Sequence, residues 1–127
     1  MLILEKTKTV KMRKILFVCS ANVDRSKTAE DHFSAKHTEM AFRSSGTNQS
    51  ICFQEGTNYL NEEDLEWADS IYVMERKHSK AIKSFSKLKL GNKIKVLTIP
   101  DHYKYGDPEL VQELESKISF YSTPKYL

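Results

Sequence analysis

The run Ile15-Leu16-Phe17-Val18-Cys19 is the longest unbroken apolar stretch in this 127-residue chain, and it passes directly into the short polar segment Ser20-Ala21-Asn22-Val23-Asp24-Arg25-Ser26. It is far shorter than the roughly 18 residues a membrane-crossing helix needs. It is also too continuous for a strand with one wet face. Lys14 to Val18 therefore predicts a central strand buried on both faces, as in parallel sheets. A parallel neighbour requires a crossover, and the next segment supplies one: Lys27 to about Glu39 reads as a helix. Ser26 is its expected N-cap, Glu30 lies in its first turn, and Ala29, Phe33 and either Ala35 or Lys36 fall on one face.

The rest of the chain repeats this alternation. Ala41 to Ser44 predicts a short strand, followed by loop to Leu60. Asn61-Glu62-Glu63-Asp64 opens a brief acidic helix through Trp67, acids being favoured in a first turn. Ile71 to Met74 is another strand run. Residues 76 to about 88 predict a basic amphipathic helix, stopped near Gly91. Lys93 to Ile99 reads as a strand. Asp107-Pro108 opens a last helix to about Ile118, with Asp as N-cap and Pro at N1. Strands alternating with helices argue for an α/β protein with a parallel sheet and right-handed crossovers. No repeat, linker or change of composition marks a boundary, and this length suits one domain. Residues 1–12 are expected to form a tail or edge segment and residues 13–127 the domain.

With 39% hydrophobic and 29% charged residues the chain is neither disordered nor fibrous. The N-terminus, Met1-Leu2-Ile3-Leu4-Glu5-Lys6, lacks the long apolar region and cleavage site of a secretory signal, which predicts a cytoplasmic protein without membrane partners. Two cysteines, Cys19 and Cys52, make no disulfide scaffold and leave a thiol free for chemistry. The net charge of +3 is small but segregated: Arg76 to Lys95 holds eight Lys or Arg and no acid, and Glu55 to Glu75 seven acids and no base. The basic strip suits an anionic partner, nucleic acid included. It better suits a solvated helix face over a buried stripe of Ile82, Phe85 and Leu88.

Parallel sheets place ligands at the carboxyl ends of their strands, which directs attention to Cys19 through Ser26. Between a strand end and a helix start, the backbone amides of Ser20, Ala21, Asn22, Val23, Asp24, Arg25 and Ser26 can curl around a tetrahedral oxyanion, with partial positive charge from the helix. Arg25 offers two parallel N–H donors to phosphate oxygens, a fork that Lys cannot copy. The same field favours a thiolate at Cys19. A nucleophile and an oxyanion trap thus coincide. The bland alternative is an inert buried cysteine beside a salt-bridged arginine.

With these residues in view the sequence resembles the low-molecular-weight protein tyrosine phosphatase family, from Lys14 to about Ile118. The resemblance is carried by Ile15 to Cys19, Asn22, Arg25-Ser26, Ala29-Glu30, Ser44-Ser45-Gly46-Thr47, Ala68 to Glu75, and Ile99-Pro100-Asp101 with Tyr103. It implies a single-domain, three-layer sandwich with a four-stranded parallel sheet, helices on both faces and a phosphate-binding loop after the first strand. It also implies a metal-free, cofactor-free phosphomonoesterase that works through a phosphocysteine. By motif position Cys19 is the nucleophile, Arg25 binds phosphate, and Asn22 and Ser26 hold the loop and thiolate, with Ser44 in support. Two loop positions depart from the pattern. Ala21 stands where the family usually has Gly, and Asp24 where it often has a second cysteine, so a neighbouring protective disulfide is not available. Asp24 is expected to face solvent. The family's longer segment between the second strand and the acidic helix is also missing.

Thiolate attack on a phosphomonoester needs a proton delivered to the leaving oxygen, and one carboxylate can deliver it and later activate water. The family's Ile-Pro-Asp-Pro-Tyr-like loop aligns best with Ile99-Pro100-Asp101-His102-Tyr103, making Asp101 the candidate acid, with Asp107 the alternative. Tyr103 and Tyr105 are candidates for an aromatic substrate rim, or for packing on the sheet. His32, His37, His78 and His102 have no partners at metal-ligand spacing. Cys52 reads as a half-buried loop thiol. The expected substrate is a phosphorylated protein or small phosphomonoester, and the product inorganic phosphate. Two other classes fit part of the pattern: a phosphocysteine carrier, whose loops generally lack the Arg, and a non-catalytic phosphate- or nucleic-acid-binding module.

Overall fold

The computed structural model describes residues 12–120. The expected N-terminal segment, apart from Met12, lies outside the described residues. Four strands, β1 (Lys14–Cys19), β2 (Ala41–Gly46), β3 (Ser70–Val73) and β4 (Ile94–Val96), form one parallel sheet in the order β2-β1-β3-β4. The helices are α1 (Arg25–Lys36), α2 (Gln49–Glu55), α3 (Glu62–Trp67), α4 (Arg76–Phe85) and α5 (Pro108–Lys117).

The sheet is covered on both sides, and the alternation of β1 explains why its sequence reads as continuous apolar. Ile15, Phe17 and Cys19 point into one layer with Ala29 and Phe33 of α1 and Leu110 and Leu114 of α5. Leu16 and Val18 point into the other, with Leu65 of α3 and Ile82 of α4. Phe17 is the hub of the first layer, its ring 5.8 to 6.0 Å from Phe33, Phe42 and Tyr72. The three-layer α/β sandwich is as the sequence led us to expect. Among the described residues, no helix is long and apolar enough to cross a membrane.

Several boundaries differ from the sequence reading, each for a local reason. Helix α1 begins at Arg25 with Asp24, not Ser26, as N-cap, and the Asp24 side chain makes no cap bond. Its buried face is Arg25, Ser26, Thr28, Ala29 and Phe33, while Ala35 and Lys36 are exposed. The segment expected to be loop up to Leu60 contains α2, started by Asn48, which accepts from Ile51 N–H at 3.0 Å, and ended at Gly56 with φ 69°. With Cys52 its one buried side chain, α2 has no apolar period to detect. Helix α4 stops at Phe85, short of residue 88, and Gly91 opens a 3-10 turn. Ile82 is fully buried there, but Phe85 is 39% exposed. Strand β4 ends at Val96 because Thr98 takes φ 58°, which breaks the pleat; Leu97 and Ile99 still donate to Val73 and Met74 carbonyls.

Candidate active site

Strand β1 ends at Cys19 in the middle of the sheet, where β2 continues to one side and β3 to the other. This topological switch point is where parallel sheets leave a crevice beyond their strand ends. The chain turns from Cys19 through residues 20–24 into α1, and neighbouring elements clamp this loop from outside. Asn48 N–H donates to the Ser20 carbonyl at 3.0 Å and Thr57 Oγ1 to the Ala21 carbonyl at 2.6 Å. In a planar trans peptide the N–H points opposite to the C=O, so the amides of Ala21 and Asn22 face the loop's interior. Gly46, paired with Cys19 in register, permits this packing: a Cβ there would lie 2.5 Å from both the Ser20 carbonyl and Cys52 Sγ.

Asn22 holds the loop from within. Its backbone sits at φ 57°, a conformation Asn tolerates better than most residues, and its buried amide is fully used. Nδ2 donates to Ser26 Oγ and Ser44 Oγ, both at 2.8 Å, and Oδ1 accepts from Asn58 N–H at 3.1 Å. Ser44 in turn donates to Glu30. Ser26 Oγ lies 3.0 Å from Cys19 Sγ and 3.4 Å from the Ser45 carbonyl. A hydroxyl has one proton, so Ser26 donates to sulfur when Cys19 is a thiolate and can turn to the carbonyl when Cys19 is a thiol. Asn22, Ser26 and Ser44 thus form one hydrogen-bonded group that reaches Cys19 Sγ through the Ser26 hydroxyl.

Arg25 is 1% exposed. Both Nη1 hydrogens are taken, by Glu75 and by the Ile99 carbonyl at 2.8 Å. The Nε–Nη2 edge is left as a two-donor fork, with Asp101 Oδ1 3.6 Å from Nε. Glu75 lies two residues past the end of β3. Burial works against its charge, but the hydrogen bond and charge of Arg25 outweigh it and hold the carboxyl below the usual range. Three residues on, buried His78 accepts the Glu75 N–H at Nδ1 (3.0 Å), so Nε2 carries the proton and donates to Ser20 Oγ at 2.9 Å. Burial, reinforced by the Arg25 charge, pushes the imidazole down to about 4. A Ser20–His78–Glu75–Arg25 chain thereby ties the loop to the end of β3.

Cys19, Ser20, Ala21, Asp24, Arg25, Ile51 and Asp101 line a cavity of about 140 Å³. The candidate nucleophile, candidate anion-binding cation and candidate acid share it. A larger cavity of about 630 Å³ is lined by Asn22, Val23, Lys27 and Ser44 among others, and by neither Cys19 nor Arg25. Asp107 does not line the smaller cavity: it caps α5 by accepting from Glu109 N–H at 2.9 Å. Nor do the tyrosines line it. Tyr103 packs on the core and Tyr105 walls a separate cavity beside Thr28 and His32, so the rim is aliphatic Ile51 instead. Asp24 does not simply face solvent; it lines the cavity and accepts a bond from Tyr105. Cys52 is fully buried in α2, and burial pushes its thiol up. Among the described residues no three His, Cys, Asp or Glu side chains gather as a metal site.

Sequence reasoning missed Glu75, His78 and Ile51. The signal for the first two was present: Glu75 follows a strand end, and a His three residues later has the spacing of a capping box.

No family profile and no curated protein sequence matches this chain. Solved structures do. The low molecular weight protein tyrosine phosphatase of T. tengcongensis is 22% identical, with 84% of this chain and 99% of that one covered and a TM-score of 0.62. The tyrosine phosphatase AmsI of Erwinia amylovora gives 22% identity, 87% and 91% coverage and a TM-score of 0.65. YwlE, an arginine phosphatase and a protein of Bacillus subtilis, gives 22%, 81% and 89%, and 0.63. The fold is therefore that of the low molecular weight protein tyrosine phosphatases. Particular members share it over nearly their whole length.

Proposed function

We propose that this protein is a cysteine-dependent phosphomonoesterase, a protein tyrosine phosphatase of the low-molecular-weight type. The observation that carries the reading is the single cavity shared by Cys19, Arg25 and Asp101 at the switch point of the sheet. A phosphate in the loop takes the Nε–Nη2 fork of Arg25 and the inward amides. The Cys19 thiolate, stabilised by the Ser26 hydroxyl, attacks phosphorus as the ester P–O bond breaks. Asp101, in its acid form, gives its proton to the departing oxygen. Its carboxylate then takes a proton from water, which attacks the phosphocysteine and returns thiolate and inorganic phosphate. The Asp101 side chain is 62% exposed, which gives that water access.

The substrate is a phosphotyrosyl protein, and small aryl phosphates fit the same chemistry. A free thiol nucleophile suits a reducing compartment, and the protein acts in the cytoplasm. The basic residues of α4 and the segment after it are exposed and suit a solvated surface.

The test is hydrolysis of p-nitrophenyl phosphate with chelator and reductant present. Turnover lost in C19S and reduced in D101A supports the reading. A stable phosphocysteine without release of phosphate would make the protein a carrier instead. No turnover together with steeply salt-dependent nucleic-acid binding would make it a binding module.

A further inference from the structure

Asp24 has no role in the chemistry above, and its position is a costly one for a carboxylate. It precedes the phosphate-binding Arg25 and lines the cavity, where its charge opposes an incoming phosphate. It makes no cap bond to α1. Its Oδ1 instead accepts the backbone N–H of Tyr105 at 2.8 Å, 81 residues along the chain. One turn further, Thr28 Oγ1 accepts the N–H of Gly106 at 2.9 Å. One more turn on, Asp31 accepts from the Tyr105 hydroxyl. Positions 24, 28 and 31 follow i, i+4, i+7 spacing and so share one face of the helix. Gly106 reaches Thr28 with φ 76°, a conformation in which glycine pays no Cβ penalty.

What this face grips is the segment carrying Asp101. Its two ends are fixed elsewhere, by Ile99 N–H on the Met74 carbonyl and by the Asp107 cap of α5. Between them Tyr103 rests on the core, and the grip at Tyr105 and Gly106 holds the chain beyond it against the start of α1. We propose that Asp24 is a positioning residue whose carboxylate docks the acid-bearing segment onto the phosphate loop and so sets Asp101 at the leaving oxygen. The catalytic part of this inference rests on the phosphatase reading; the docking contact does not. A carboxylate accepting a backbone N–H is stronger than a neutral pair, which accounts for an acid at a place where phosphate binding alone disfavours one.

The experiment compares wild type, D24A and D24N by two readouts. The first is amide hydrogen exchange at Tyr105. Protection is expected in wild type and in D24N, whose amide oxygen can still accept, and is expected to be lost in D24A. The second is hydrolysis of phenyl phosphate, a poor leaving group, against p-nitrophenyl phosphate, a good one. D24A is expected to lose about tenfold more on the phenyl ester, with D24N close to wild type in that ratio, and with inorganic phosphate inhibiting D24A at least as tightly. Unchanged exchange at Tyr105 in D24A overturns the docking. Equal losses on both esters overturn the positioning role. A wild type that hydrolyses neither ester overturns the catalytic role along with the phosphatase reading, and exchange then decides the docking contact by itself.

Discussion

The loop from Cys19 to Ser26 and the segment from Pro100 to Asp107 close on the same cavity, but they are held in different ways. The first is held from within by Asn22 and Ser26 and from outside by Asn48, Thr57, Ser44 and His78, which together fix its shape and its thiol. The second is mostly exposed and borrows its acceptors from α1. The difference matches the roles proposed for each. An anion trap works when its donors are fixed before the ligand arrives. A group that first gives and then takes a proton must stay open to water, and segments with few buried contacts are those that open most easily.

The largest effect should come from the firmly held loop. Cys19→Ser is expected to lower hydrolysis by at least about a thousandfold while leaving the thermal midpoint near that of wild type. A small loss in single-turnover assays would break the comparison at its centre. On the other segment, Asp101→Ala should cost about a hundredfold or more with poor leaving groups and much less with good ones. Asp107→Ala should leave that ratio unchanged and cost about 1 kcal/mol of stability in a denaturant titration, the worth of an N-cap. If the two aspartates exchange these signatures, the assignment of the acid is reversed.

Smaller effects sharpen the contrast. Asn22→Ala removes the shared partner of Ser26, Ser44 and the Asn58 amide, with an expected cost of about 1 to 3 kcal/mol and weaker inhibition by inorganic phosphate. The equivalent truncation in the exposed segment, His102→Ala, should change the denaturation midpoint very little. His78 adds a pH signature. Its folded value of about 4 lies below the ordinary 6.5, so its contribution is fully present above 6.5 and is lost as pH falls from there toward 4. Glu75, held low by Arg25, acts only further down, below the usual carboxylate range. Stability curves of His78→Gln should lose the slope in the upper window and keep that in the lower.

The same contrast governs what the sequence disclosed. The both-faces-buried strand, the anion loop and the Asp107-Pro108 helix start are written in adjacent residues, so their chemistry was legible directly. The four-stranded sheet and three layers came with the family resemblance. Helix α2 was not legible, since it buries only Cys52 and rests on caps at Asn48 and Gly56. Neither were Ser20–His78 and Asp24–Tyr105, which join residues 58 and 81 positions apart and exist only once the sheet has formed. Tyr103 and Tyr105 were offered as rim residues because aromatics suit a cleft. The core and α1 took them instead, and the wall fell to Ile51, on the helix that sequence did not reveal.

The packing of Gly46 against Cys52 and the loop makes the two thiols of this chain unequal toward electrophiles. Cys19 opens onto the cavity, whereas Cys52 is sealed under the Ser20 and Ala21 carbonyls with its proton held more tightly than usual. An alkylating reagent should therefore add one adduct to the native chain and two once the chain is denatured. Labelling stoichiometry read by intact mass becomes a count of molecules whose loop is still in place.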